Sequence, residues 1–181
     1  MNNKLESALQ KVETTYSELV EIANGMLAPI IDPVNVLVTE VSSKVNSLST
    51  ENIRDYILQL QLKAFEISEV KEKSALKADL ADALQKEKFA ISFNSMDGSA
   101  AAKEKLALVE TSSEIVVETL YNLVANLLKT KLDQLHRLVD SLKSILMSRM
   151  QEFKFMNIGS NAEVGATINT TGTRQILNEG F

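Results

Sequence analysis

Apolar residues recur at helical spacing along most of the chain. From Asn3 to about Asn24 the repeat is seven: Leu5, Val12, Leu19 and Met26 form one row, and Leu9, Tyr16 and Ala23 a second, flanked by Ala8 and Ile22. A seven-residue apolar repeat marks an amphipathic helix patterned like a coiled coil, whose seam needs another helix to cover it. Gly25 and Pro29 predict its end. Asp32-Pro33 then reads as a new start, since Asp accepts hydrogen bonds from free amides at an N-cap and Pro is pre-set for the first helical position. Val34, Leu37, Val38, Val41, Val45 and Leu48 follow on one face. Their three-and-four spacing favours a helix over the strand that so many β-branched residues would suggest, with its end near Ser47 to Ser49.

Thr50 is placed to cap a third helix, with Glu51 in a first turn that favours negative charge. No Gly or Pro interrupts Thr50 to Asp97. Ile53, Tyr56, Ile57, Leu60, Ala64 and Ile67 make an early stripe, and Leu76, Leu80 and Leu84 continue it on a shifted face. This predicts one long helix to about Lys88, with a candidate break near Glu72. Phe89 to Gly98 alternates apolar and polar and ends in a turn dipeptide, so a loop or short strand is expected there. From Ser99 to Asn157 there is again no breaker. Leu106, Val109, Ile115, Val116, Leu120, Leu123, Val124 and Leu127 lead into a dense stripe from Leu128 through Leu135, Leu142 and Met150 to Phe153. A helical pattern this long implies a hairpin, a coiled coil or an oligomer.

The expected architecture is therefore all-α: a coiled-coil-like bundle built on a long-helix hairpin over residues 50–157, with two shorter N-terminal helices within 1–48. Residues 158–181 hold four of the six glycines and little periodicity. They read as a flexible tail or a weak hairpin around Thr170-Thr171-Gly172. The stripes exceed what one chain of 181 residues covers, which predicts a homo-oligomer.

Composition narrows the chemistry. The chain is 45% apolar and 24% charged, with a formal net charge of -5. That is an ordinary globular balance rather than a disordered one. There is no cysteine and one histidine. Disulfides, thiol nucleophiles, thiolate metal sites and multi-histidine metal sites are excluded. The N-terminus lacks the apolar core of a signal peptide, and the longest charge-free stretch of the helical body, Ile22 to Ile31, is half of what a bilayer span needs, about 20 residues. The expectation is a cytoplasmic protein with no membrane segment. The acidic excess lies in residues 1–120 and the rest is slightly basic. An anionic partner would be met locally and not by a global field.

No nucleophile elbow, phosphate loop or calcium loop occurs, so neither an enzyme nor a bound cofactor or metal is expected. Lys129, His136 and Lys143 share a helix face, but Asp133 and Asp140 are interleaved with them, the pattern of a solvated face laced with local ion pairs. On the third helix Lys63, Lys73, Lys77 and Lys88 fall within an arc of roughly 80°. Such a row could follow a phosphate backbone, or it could be a solvated face, since Glu72, Asp79, Asp82 and Glu87 lie nearby.

Lys73-Ser74-Ala75-Leu76-Lys77-Ala78-Asp79-Leu80 resembles the central motif of the phage UvsY-type recombination mediators, in which a long helix carries Ala-Leu-Lys-Ala-basic-Leu before a polar loop. A second long helix then opens with charged residues, as Lys103-Glu104-Lys105 does here, and the similarity spans about residues 50–155. The resemblance implies an all-helical, ring-like homo-oligomer that binds single-stranded DNA, engages a single-strand-binding protein and helps load a RecA-like recombinase. The motif lysine corresponds to Lys77, and the family's second basic position is Asp79, a reversed charge. The DNA-binding residues expected on this reading are Lys73 and Lys77, extended by Lys63 and Lys88. The alternative is a non-enzymatic coiled-coil adaptor or structural protein, such as a phage assembly factor.

Overall fold

In the computed structural model the backbone is described for residues 2–176 and the side chains for residues 6–155. The described residues form α1 (Asn2–Lys44), α2 (Thr50–Ser95), α3 (Ala100–Glu110) and α4 (Ser112–Ile176), with no strand among them. The all-α expectation is met. α2 and α4 run antiparallel as a long hairpin, held at one end by the ion pair of Lys88 with Glu114. The C-terminal half of α1 lies in the groove between them. It is parallel to α4, through Asn35 with Lys131 and the Val45 carbonyl with Arg149, and it meets α2 through Glu40 and Tyr56.

The core sits where all three helices meet. Leu27, Val34 and Val41 from α1, Ile53, Leu60 and Ile67 from α2, and Val124, Leu128, Leu135 and Leu142 from α4 are buried there. Most of these step by seven, the period of helices wound round one another. No buried side-chain polar atom lacks a partner among the described residues.

The two short N-terminal helices are instead one. α1 runs unbroken through Gly25, Pro29 and Pro33, so Asp32 caps nothing. A proline ring crowds the carbonyl four residues back and removes one hydrogen bond. Here the carbonyl behind Pro29 belongs to Gly25. Both prolines are exposed and lie one turn apart on the outer face, away from the core. Packing of Leu27, Val34 and Val41 below them keeps the helix whole. It ends at Lys44, and Arg149 of α4 donates to the carbonyls of Val45, Asn46 and Leu48 in the turn that follows.

The cap of α2 is Ser49, one residue before the expected Thr50, its hydroxyl accepting from the Asn52 amide at 3.1 Å. α2 passes Glu72 without a break and continues to Ser95. The expected loop or strand at Phe89 to Ser95 is helical because its apolar residues pair one turn apart: Phe89 and Phe93 stack with centroids 6.1 Å apart. The turn follows at Gly98, whose φ of 128° only glycine adopts readily. The uninterrupted helix expected from Ser99 divides at Thr111. Thr111 is fully buried and donates its hydroxyl to the Ala107 carbonyl at 3.0 Å, and its backbone leaves the helical region at φ -98° and ψ 7°. Beyond Asn157, where a flexible tail or hairpin was expected, α4 continues to Ile176, through Gly159, Gly165 and Gly172 and with no proline to stop it; residues 177–181 lie outside the described part.

At the α3 end the packing inverts. Ser74, Ala78, Ala81 and Ser92 of α2 and Ala107 of α3 face inward, while Leu76, Leu80, Leu84 and Ile91 face out. Small inward side chains let α2 and the α3–α4 rod approach closely. They also leave the large apolar residues without cover.

Candidate functional site

The four lysines expected to touch DNA all lie on α2, spread over roughly 37 Å of helix. Each has a partner within its own chain. Lys63 pairs with Glu66 at 2.8 Å and Lys73 with Glu69 at 2.6 Å. Lys77 stands over the ring of Tyr121, 5.0 Å from its centroid, and Lys88 pairs with Glu114 across the hairpin. The carboxylates respond to these partners. The hydrogen bond from Lys73 holds Glu69 below the usual carboxylate range, and the one from Lys88, helped by Ser113, does the same for Glu114. The structure places the four on one long helix, Lys63, Lys73 and Lys88 each beside a carboxylate and Lys77 over a ring.

His136 lines an open groove between α2 and α4 with Gln61, Phe65, Val139, Asp140 and Lys143. Lys143 meets Asp140 at 3.4 Å, the local pairing that the interleaved charges predict. No group of three or more histidine, aspartate or glutamate residues among those described could hold a metal ion. Within α1, Glu6–Lys44 contains a stretch that by length and composition alone is apolar enough to cross a membrane. Counting only charge-free residues missed it, because a lone charge, Asp32, interrupts it. Val34 of that stretch is fully buried against α2 and α4.

Two apolar surfaces stand out instead. The first is the N-terminal half of α1, an arm in which every described residue from Glu6 to Glu18 is exposed. Leu9, Val12 and Tyr16 are 53%, 65% and 61% exposed, and α1 makes no contact with α3. The second is the outer face at the α3 end. Leu80, Leu84 and Ile91 of α2 are exposed there, as are Leu106 and Val109 of α3 and Val116 of α4. Sequence reasoning read these leucines as a core stripe. The signal against it was the row Ser74, Ala78, Ala81, which competes for the inward position with small side chains at the same three-and-four spacing.

No protein-family model, curated protein or solved structure matches this chain.

Proposed function

We propose that this chain is a non-enzymatic helical assembly protein, which associates through its uncovered apolar faces and serves as a scaffold or adaptor. The observation that carries the reading is the inverted packing at the α3 end, with Ser74, Ala78 and Ala81 inside and Leu76, Leu80 and Leu84 outside. Water-exposed leucines at helical spacing are costly in a lone chain, and each is worth about 1.5–3 kcal/mol once covered. Contiguous exposed apolar surface of this kind marks an association site. The mediator reading implied by the family resemblance asks Lys63, Lys73, Lys77 and Lys88 to be free for phosphates. Their carboxylate and ring partners favour assembly over DNA loading.

The test compares wild type with Leu80→Glu combined with Leu84→Glu, by light scattering at micromolar concentration. Wild type is expected as an oligomer that persists or tightens in sulfate, because kosmotropic salts strengthen apolar burial. The variant is expected as a monomer with unchanged helical circular dichroism, since both positions are on the solvent side of α2. An unchanged mass in the variant would contradict the reading. Tight binding of a single-stranded oligonucleotide that falls steeply with salt would restore the mediator reading instead.

A further inference from the structure

α1 is weakest where its arm departs from the bundle. Pro29 has no N–H to offer the Gly25 carbonyl, and Pro33 has none to offer that of Pro29. Two rungs of the ladder are thus missing one turn apart, both on the outer face. Gly25 adds to this, since an interior glycine weakens a helix. Packing does not require glycine there, because a Cβ at that position would meet nothing within 4 Å. A helix curves so that its weakened hydrogen bonds lie on the convex side. For α1 the concave side is then that of Leu27, Ile31 and Val34, which pack toward α2 and α4. There is room for a bend on that side. A cleft of about 400 Å³ lies between Leu27, Ala28 and Ile31 of α1 and Leu127, Thr130 and Lys131 of α4.

We propose that Gly25 to Pro33 is a hinge, and that the arm before it is a strap that swings inward onto α2 of its own chain. The two helices already meet where the Tyr56 hydroxyl donates to Glu40 at 2.9 Å. That contact sets an antiparallel register. Tyr16 lies 24 residues before Glu40 and Leu80 lies 24 after Tyr56; Val12 and Leu84 are each 28 away. A closed arm therefore brings Tyr16 level with Leu80 and Val12 level with Leu84, all four exposed while the arm is open. Closure continues the interface that α1 already makes with α2 and needs no second chain. The inference rests on the assembly reading in one respect. A closed arm hides leucines through which chains associate, so the strap opposes assembly and its opening permits it.

The natural chain has no cysteine, so two engineered thiols carry spin labels cleanly. Val12→Cys with Leu84→Cys places one label on the arm and one on α2, both at exposed positions. The labelled chain is diluted into an excess of unlabelled wild type, so that only pairs within one chain are read. Dipolar spectroscopy should give a long distance for the open arm and a short one for helices packed with axes about 8–10 Å apart. Gly25→Ala, Pro29→Ala and Pro33→Ala together restore the missing rungs. In that background the short population should fall several-fold with helical circular dichroism retained. The same triple variant, unlabelled, should associate at a several-fold lower concentration than wild type in sedimentation. Three results would overturn the proposal. The first is a long distance alone in the chain with its native hinge. The second is a short population that the three alanines leave unchanged. The third is a short population that vanishes on dilution with unlabelled chain, which would place the arm on a second copy. A wild-type chain that stays monomeric at every concentration would remove the assembly reading and the strap's role in it, whereas the distances alone decide the hinge.

Discussion

Arg149 ties α4 to the α1–α2 turn. Its guanidinium, half-buried beside the α1–α2 turn, donates to the carbonyls of Leu48, Val45 and Asn46. These are carbonyls of the turn after α1, outside its hydrogen-bond ladder, and a planar fork of donors can serve several at once. Arg149→Ala should cost about 1–3 kcal/mol, the range for hydrogen bonds to a charged group with their acceptors left behind. Thermal unfolding should then fall by roughly 2–4 °C per kcal/mol. Arg149→Lys should recover little, because an ammonium cannot reach three carbonyls. Glu40 acts at the same scale. The Lys44 ammonium and then the Tyr56 hydroxyl hold its carboxyl below the ordinary range, and the same contact raises the Tyr56 phenol. A carboxylate whose folded pKa is lowered adds stability above its unfolded pKa and loses it as pH falls through the folded one. Glu69 and Glu114 are lowered in the same way. Melting temperature should therefore drop as pH falls from about 5 to about 3. Glu114→Gln should melt lower than wild type at neutral pH and show a shallower drop. A melting temperature that is flat, or that rises toward acid, would contradict the ion-pair account.

Elements were legible to different degrees, for physical reasons. The heptad rows of α1, α2 and α4 identified the helices, since burial against other helices is what imposes that period. Position within the fold was harder to read. Leu60 and Leu80 are alike in sequence context, yet one is fully buried and the other 59% exposed. What separates them is the row of small residues at 74, 78 and 81, which takes the inward position where α3–α4 comes close. Pro29 and Pro33 read as stops because local propensity predicts a break. Tertiary packing on one face, with both rings on the other, outweighed a cost of about 3 kcal/mol per proline. Thr111 is the reverse case, a break with no Gly or Pro, at a buried residue of the α3–α4 junction. The lysine row was visible as an arc. Its partners were only half visible: Glu66 and Glu69 are local neighbours, while Glu114 and Tyr121 arrive from another helix.

For the whole molecule the account is that of an incomplete bundle: three helices pack together over part of its length, and apolar residues of the α1 arm and of α2 and α3 stand exposed elsewhere. Assembly is the single claim that joins the exposed apolar stripe of the α1 arm with those of α2 and α3. Sedimentation equilibrium of the unmodified full chain, from about 1 to about 100 μM, tests it most directly, since standard protein interfaces reach micromolar affinity or tighter. The account predicts a mass of twice the 20.0 kDa chain at the upper end, falling toward the monomer only on dilution. A single 20.0 kDa species across the whole range would contradict it.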